Sequence, residues 1–326
     1  MLAKKVKRDH TSDHRLDELE RQWWDANAAT VAQVWQMHDE VSSTVRRAYL
    51  KRARRFLRGS RSGVTVLELG CGSGWVGQMI AGPGFQVLGT DFSASQVRLA
   101  VENAKARKID AYCKYLLATT TEEWMRLLAQ VDGVLIHCFL HHLSGEEIGR
   151  VLGVLRDNLR RDGRVWIYEP AFYLLDKHSR SRLRIAPRVS LKIASSLVAI
   201  LDGLYTKLGL LDEPVAEAFA RLSGQAAESG WYLSPKEIPL GFHEFSNELQ
   251  EHLRIVDGYW ATIHLVGWVY RSNLLRSVTL RRVVNRLVLP FLALADKAVS
   301  KEHTYLEGEL AAPNYGFHVW ECTKQP

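Results

Sequence analysis

The 326-residue sequence lacks the features that mark several classes of protein. Its longest uninterrupted apolar run, residues 287–295, contains a proline and is far shorter than the roughly 20 residues that a membrane-spanning helix needs. The N-terminal stretch, MLAKKVKRDHTSDH, has no apolar core of the kind found in secretory signal peptides. The four cysteines are scattered without CxxC spacing, which favours reduced thiols over a disulfide framework or a metal site. These absences predict a cytoplasmic protein without a bound metal.

The charge of the chain is unevenly distributed. The formal net charge is +7, and Lys and Arg are concentrated in residues 1–62, 176–192 and 271–301. Two interpretations stay open: an anionic partner, such as the inner face of an acidic membrane, or ordinary solvated helix faces. A nucleic-acid partner is not predicted, because the sequence has no recognition module or stacking platform.

Hydrophobic periodicity divides the chain into four predicted parts. Residues 1–62 form an N-terminal helical segment, which we expect to join a cap. Residues 63–170 alternate short apolar runs with helical stretches, the pattern of a parallel sheet covered on both faces. Residues 171–245 are predicted as a helical cap insertion, and residues 246–326 as the rest of the core with a helical insertion at about 265–300. The predicted fold is a three-layer, doubly wound (Rossmann-like) α/β domain with a mainly parallel sheet and helical cap insertions.

A glycine-rich turn, VLELGCGSG, ends the first predicted strand and opens a helix. Such a turn presents backbone N–H groups and a positive helix end to a ligand. Two registers fit: GxGxxG from Gly72, the dinucleotide fingerprint of NAD-binding enzymes, and GxGxG from Gly70. The second register is favoured, because Gly70 directly follows the strand whereas Gly72 lies two residues beyond it.

Two acidic residues support the second register. Glu68 would repel a pyrophosphate, but it tolerates a cofactor that carries an ammonium and a sulfonium. Asp91 closes the second predicted strand, where a carboxylate accepts hydrogen bonds from both hydroxyls of a ribose. The residues therefore indicate S-adenosylmethionine as the cofactor.

Residues 62–170 resemble the class I S-adenosylmethionine-dependent methyltransferase family, in VLELGCGSG, VLGTDFSASQVRLAVENA and VDGVLIHCFLHHLSGEEIGRVLGVLRDNLRRDGRVWIYEP. The resemblance implies that the glycines face the methionine part, that Glu68 lies near its amino group and that Asp91 holds the ribose. Many members place an acid after the third strand to bind adenine, and here Thr119 stands there instead. The predicted cofactor-binding residues are Glu68, Gly70, Gly72, Gly74, Asp91, Phe92, Ser93, Thr119 and Cys138.

The catalytic candidates follow the fourth and fifth predicted strands, where ligands of such sheets bind. Methyl transfer needs alignment and exclusion of water, and an oxygen acceptor also needs a base. The predicted catalytic residues are His141, His142 and Tyr173, with Glu169 nearby. A similar histidine pair occurs in relatives with different acceptors, so a role in shaping the pocket stays open. The aromatic residues Trp23, Trp24 and Tyr49 either close the donor site or only pack.

Segments outside the core suggest the acceptor. Residues 187–211 are apolar almost all round, and residues 280–291 form a basic amphipathic helix. They favour either a lipid-linked acceptor and an anionic membrane surface, or packing into a core or dimer interface. The sequence therefore predicts methyl transfer from S-adenosylmethionine to a small-molecule or lipid-linked acceptor, at oxygen. The alternatives are a nicotinamide-dependent oxidoreductase and a non-catalytic, membrane-associated binding protein on the same fold.

Overall fold

A computed structural model describes residues 14–175, 234–237, 240–262, 305–306 and 314–325. The helices are α1 (His14–Arg58), α2 (Trp75–Ile80), α3 (Ala94–Ala106), α4 (Thr121–Leu128), α5 (Gly145–Asn158) and α6 (Phe242–His252). A 3₁₀ turn covers Leu140–His142. The strands are β1 (Val64–Leu69), β2 (Phe85–Asp91), β3 (Cys113–Leu117), β4 (Gly133–His137), β5 (Arg164–Leu175), β6 (Leu240–Gly241), β7 (Leu253–Thr262), β8 (Tyr305–Leu306) and β9 (Asn314–Lys324).

The main sheet has the strand order β3-β2-β1-β4-β5-β9-β7. Strands β1 to β5 pair in parallel, whereas β9 lies antiparallel between β5 and β7. The order reverses between β1 and β4, and ligands of such sheets bind beyond the carboxyl ends of the strands at this point. The predicted doubly wound, mainly parallel α/β fold is confirmed.

Helices cover both faces of the sheet. Residues of α1, α2 and α3 pack with one face of β1 and β2, and residues of α4, α5 and α6 pack with the other. Leu50, Ala53 and Leu57 recur at helical spacing on α1 and are buried against the sheet. Burial of each such leucine contributes about 1.5–3 kcal/mol. The last turns of α1 therefore belong to the helical layer of the core, and the expectation that the N-terminal helices join the cap stays a prediction.

Several sequence predictions lie wholly or largely outside the described residues. These are most of the cap insertion, the helical insertion at about 265–300, two of the basic segments, and the apolar and amphipathic segments at 187–211 and 280–291. Strand β5 continues to Leu175, and β6 and α6 begin at Leu240 and Phe242, all inside or at the margin of the range predicted as cap. Within the part of the chain that the structure describes, no helix is long and apolar enough to cross a membrane.

Candidate active site

The glycine turn connects β1 to α2. Gly70 and Gly72 both have positive φ, 63° and 52°, in the left-handed region that favours glycine. A Cβ on Gly70 would lie only 2.3 Å from the Cδ2 atom of Phe139, whereas the nearest atom to a Cβ on Gly72 is 3.8 Å away, on Gln96. Gly70 is therefore fixed by packing as well as by conformation, and Gly72 borders open space that a ligand can approach.

Asp91, at the end of β2, faces this turn. Its Oδ2 accepts the N–H of Gly72 at 2.8 Å, and its Oδ1 accepts the N–H of Ser93 at 2.9 Å. Each carboxylate oxygen keeps a second lone pair, so two further donors such as the hydroxyls of a ribose can be accepted. Burial raises the pKa of Asp91 to about 6. The two N–H groups and the positive charge of His142 lower this pKa, but burial outweighs them.

Glu68 lies beneath the turn, on β1, and is buried. Its Oε1 accepts the N–H of Gly77 near the start of α2 at 3.2 Å, and its Oε2 has no hydrogen-bond partner among the described residues. Burial, with a smaller contribution from Asp91, raises the pKa of Glu68 to about 8. Two buried carboxyl groups with raised pKa values, one with an unpartnered oxygen, fit a ligand that carries positive charge, as S-adenosylmethionine does.

Ser93 and Phe92 follow Asp91 directly. Ser93 is fully buried and its hydroxyl oxygen accepts the N–H of Gln96 at 3.2 Å, which caps α3, while Phe92 is half-buried. The Ser93 hydroxyl also donates to Asp25 of α1 at 2.6 Å. Helix α1 therefore lies against the residues that are predicted to flank the adenosine.

Thr119 and Cys138 occupy the ends of β3 and β4. Thr119 is exposed, and its hydroxyl donates to Glu123 at 3.2 Å. The hydroxyl oxygen of Thr119 keeps lone pairs that can accept a hydrogen bond from an adenine amino group. Cys138 has φ of 53°, an uncommon conformation for a residue with a side chain, and its N–H donates to the carbonyl of Tyr168 at 2.8 Å. Their predicted contacts with the cofactor stay predictions.

Glu169 organises the turn that carries the two histidines. Its Oε1 accepts the N–H groups of Phe139 and Leu140 at 2.7 and 2.8 Å, and its Oε2 lies 2.7 Å from Nδ1 of His141. The parallel pairing of β4 with β5 brings these carboxyl ends together. Burial raises the pKa of Glu169 to about 7, and the N–H donors oppose that rise.

His142 faces a different carboxylate, which comes from α1. Its Nδ1 lies 3.0 Å from Oε1 of Glu20, a residue that is only 2% exposed. Burial lowers the pKa of His142, but the hydrogen bond and charge of Glu20 outweigh burial, so the pKa stands above its ordinary value. Burial likewise opposes ionisation of Glu20, yet its partners, His142 foremost, leave the pKa of Glu20 lowered. The two groups form an ion pair.

Residues 234–237 connect this ion pair to the rest of the core. The hydroxyl of Ser234 donates to Glu20 Oε1 at 2.7 Å, and the N–H of Lys236 donates to Glu20 Oε2 at 2.9 Å. The ammonium of Lys236 contacts Asp17 of α1 and Glu147 of α5. This short segment therefore connects α1, α5 and the histidine turn through hydrogen bonds and ion pairs.

The remaining candidates are placed as follows. Tyr173 lies in β5, where its backbone pairs with Asn314, but its side chain is outside the described residues. Trp24 places its ring 5.4 Å from that of His142, and Tyr49 stacks 4.7 Å from Tyr168 over the sheet. Among the described residues, no group of three or more His, Cys, Asp or Glu side chains is arranged to hold a metal ion.

Several residues of the site were not singled out from the sequence. They are Glu20 and Asp25 on α1, Phe139 against the glycine turn, and Ser234, Lys236 and Glu237 within the range predicted as the cap insertion. Phe139 lies in a stretch that carries the family resemblance, but the others belong to no contiguous motif, and each acts through a contact with a residue distant in the sequence. The one local signal was the run of acidic residues 17–25 beside Trp23 and Trp24 on a predicted helix.

Comparison with known proteins identifies a domain in this chain and similar folds. Residues 66–163 match the family model described as a methyltransferase domain. No curated protein sequence matches the chain. The chain is similar in fold to geranyl diphosphate C-methyltransferase from Streptomyces coelicolor A3(2), with 10% identity, 97% of this chain and 100% of that chain covered, and a TM-score of 0.50. Phosphoethanolamine N-methyltransferase 2 from Haemonchus contortus gives 14% identity, 94% and 60% coverage, and a TM-score of 0.48.

The family match spans the glycine turn, Asp91 and the strands up to the start of β5. It favours methyl transfer over the nicotinamide-dependent and non-catalytic alternatives. The chain therefore carries an S-adenosylmethionine-dependent methyltransferase domain over residues 66–163.

Proposed function

We propose that this methyltransferase methylates a hydroxyl oxygen of a small-molecule or lipid-linked acceptor, with His141 as the base. The observation that carries the proposal is the 2.7 Å contact between Nδ1 of His141 and Oε2 of Glu169. A neutral imidazole that donates its Nδ1 proton to a carboxylate has its lone pair on Nε2, where it can take a proton from an acceptor. His142 and Tyr173 stay predicted members of the catalytic set.

Besides supplying a base, the protein has to hold the cofactor and exclude water. S-adenosylmethionine, when bound, supplies a methyl group activated by a sulfonium. Gly70, Gly72, Gly74 and Asp91 are proposed to hold the cofactor, with Glu68, Phe92, Ser93, Thr119 and Cys138 around it. An acceptor oxygen would bond to that methyl carbon as the carbon–sulfur bond breaks, and the electrons of the broken bond would stay on sulfur. The hydroxyl proton passes to Nε2 of His141, so charge and atoms balance. Helix α1, packed against Ser93, excludes water.

The lipid-linked part of the proposal is supported by sequence. The apolar stretch at 187–211 and the basic segments at 176–192 and 271–301 suit an amphiphilic acceptor and an acidic membrane surface. The S. coelicolor enzyme was solved with geranyl diphosphate, itself a small isoprenoid. Co-sedimentation of the full chain with neutral and with anionic vesicles tests the membrane contact, and equal sedimentation with both argues against it.

Methyl transfer can be tested directly. The full chain is incubated with methyl-labelled S-adenosylmethionine and a panel of hydroxyl-bearing small molecules and lipid extracts, and the labelled product is identified by mass and carbon NMR. We expect a methyl ether or ester, and a rate that falls by about 10²-fold or more in His141→Gln. A labelled N-methyl or C-methyl product contradicts the oxygen acceptor, and an unchanged rate in His141→Gln contradicts the assigned base.

The role of Asp91 has its own test. Asp91→Ala removes a carboxylate that accepts two N–H groups of the turn and, in our proposal, both ribose hydroxyls. Charge-assisted hydrogen bonds of this kind contribute about 1.5–3 kcal/mol each, so we expect the affinity for S-adenosylhomocysteine to fall by about 10²-fold or more. Isothermal titration measures it, and an unchanged affinity contradicts the ribose assignment.

A further inference from the structure

The two adjacent histidines of the turn are close enough to compete for charge. Their ring centroids are 4.0 Å apart with an interplanar angle of 42°. Two like charges at this distance repel by about 4 kcal/mol at the effective dielectric constant usual for proteins. Both side chains are largely buried, so a second positive charge on the pair is disfavoured.

The donors around Glu20 favour the ring of His142 as the one that holds the charge. Oε1 of Glu20 accepts from the indole N–H of Trp24 at 2.8 Å and from Ser234 at 2.7 Å, and Oε2 accepts the N–H of Lys236 at 2.9 Å. These three donors keep their protons throughout the neutral range, and together with His142 they require an ionised carboxylate. An ionised, 2% exposed carboxylate needs a cation, and its close cationic partner is the ring of His142, at 3.0 Å.

We propose that the two histidines hold opposite protonation states: Glu20 of helix α1 holds His142 as an imidazolium, and that charge keeps His141 neutral with its proton on Nδ1. Glu20 is thereby a positioning residue for the reaction, although it is more than 100 residues away in sequence. The proposal deepens the proposed function, on which the base role of His141 rests. It also removes His142 from the set of bases, because an imidazolium has no lone pair to offer.

The surroundings of His142 are consistent with one positive charge. The carboxylates that act on it come from each neighbouring element: Glu20 from α1, Asp91 from β2, Glu169 from β5 and Glu237 from the segment 234–237. Glu237 Oε1 lies 3.7 Å from Nε2 of His141, and the ammonium of Lys236 points instead to Asp17 and Glu147. The charged ring therefore stands among acidic groups, which raises the pKa of His142 against the effect of burial.

Imidazole NMR of the full chain tests the proposal without any acceptor. The protein is labelled with nitrogen-15 histidine, His141→Gln and His142→Gln assign the rings, and spectra are recorded from pH 5 to 9. We expect both nitrogens of His142 to be protonated at pH 7, and His141 to carry its proton on Nδ1 alone. In Glu20→Gln the midpoint of His142 should fall by about one to three pH units, and Glu20→Asp should restore part of it.

Glu18→Gln is the matched control, because Glu18 is an exposed carboxylate of the same helix that contacts only Arg21 and Gln22 in the described hydrogen bonds. It should leave both midpoints unchanged. A neutral His142 in the wild type, a positive charge on His141, or an unshifted midpoint in Glu20→Gln overturns the proposal. If Glu20→Gln does not fold, the wild-type spectrum alone decides. Absence of an O-methyl product would refute the proposed function while leaving this result standing.

Discussion

The proposed active site has a donor side, which is predicted to bind S-adenosylmethionine, and an acceptor side, which is predicted to bind the methyl acceptor, and the two are built in different ways. On the donor side, one stretch of the chain, residues 68–93, supplies backbone N–H groups, a glycine turn and two carboxyl groups. On the acceptor side, charged side chains come from α1, the histidine turn, β5 and the segment 234–237. The donor side depends on local backbone conformation, whereas the acceptor side exists only when distant segments meet.

The two sides also differ in electrostatics. Burial raises the pKa of Glu68 to about 8 and that of Asp91 to about 6, so the donor side has carboxyl groups whose charge is poorly compensated. On the acceptor side the pKa of Glu20 is lowered and that of His142 is raised, because each compensates the other against burial. The donor side is therefore completed by a cationic ligand, and the acceptor side is largely neutralised by its own residues.

The largest effect is expected from a substitution that changes the backbone of the donor side. Gly70→Ala adds left-handed strain of about 1–2 kcal/mol and a clash with Phe139 of about 1–3 kcal/mol, so the free energy of unfolding should fall by about 3 kcal/mol. Gly72→Ala is the control, because Gly72 has a similar φ but open space around an added Cβ. This variant should lose only the contribution of left-handed strain, about 1–2 kcal/mol. Urea unfolding compares them, and equal losses would show that Phe139 does not restrict the turn.

A second prediction tests the charge of the donor side. Because the pKa of Glu68 in the folded protein is about 8, above its ordinary 4.5, the folded state binds this proton more tightly than the unfolded state. Its contribution is therefore complete below about pH 4.5 and is lost as the pH rises towards 8, by at most about 1.4 kcal/mol per pH unit. Glu68→Gln should flatten the dependence of the free energy of unfolding on pH between 5 and 8.

The exposed Glu251→Gln provides the control for this slope, because it should leave the curve unchanged. Saturation with S-adenosylmethionine, a cation, should lower the pKa of Glu68 and flatten the wild-type curve as well. If the pH dependence of Glu68→Gln matches that of the wild type, the charge of Glu68 is already compensated in the folded protein. The donor and acceptor sides would then not differ in their electrostatics.

A third prediction concerns a substitution on the acceptor side alone. Lys236→Met removes the cation between Asp17 and Glu147, and the loss of these charge-assisted contacts should lower the free energy of unfolding by about 2 kcal/mol. The affinity for S-adenosylhomocysteine should stay within about twofold, because Lys236 does not contact the donor side. Lys105→Met, at an exposed lysine of α3, should change neither quantity. A large loss of affinity in Lys236→Met would mean that the two sides are coupled.

The smallest expected effect concerns the contact between the two sides. Oδ1 of Asp25 accepts the hydroxyl of Ser93 at 2.6 Å and the N–H of Ser95 at 3.1 Å, so it caps α3 from a different helix. Asp25→Ala should cost about 1 kcal/mol, as the loss of a helix cap does. Asp25→Asn keeps one acceptor oxygen and should cost less. Thermal unfolding of the two variants checks this order, and a loss in neither would show that the cap is not needed.

Much of the fold was predictable because its rules are local. The alternation of apolar strands and amphipathic helices specified the parallel sheet, and the glycines after β1 with Asp91 at the end of β2 indicated the proposed donor side. The end of β5 at Leu175 and the single helix α1 were not predicted. Their limits are set by pairing with β9 and by packing against the sheet, and neither leaves a local signal in the sequence.

By itself, then, the sequence determined the strand-turn-helix that approaches the cofactor, since the positive φ of Gly70 and Gly72 and the position of Asp91 are consequences of a few neighbouring residues. Only the tertiary structure decided that Glu20 meets His142 while Glu169 meets His141. The reason is physical: a charge pair is stable in a protein interior only when packing removes both groups from water at contact distance. The sequence names such groups but does not fix the distance between them.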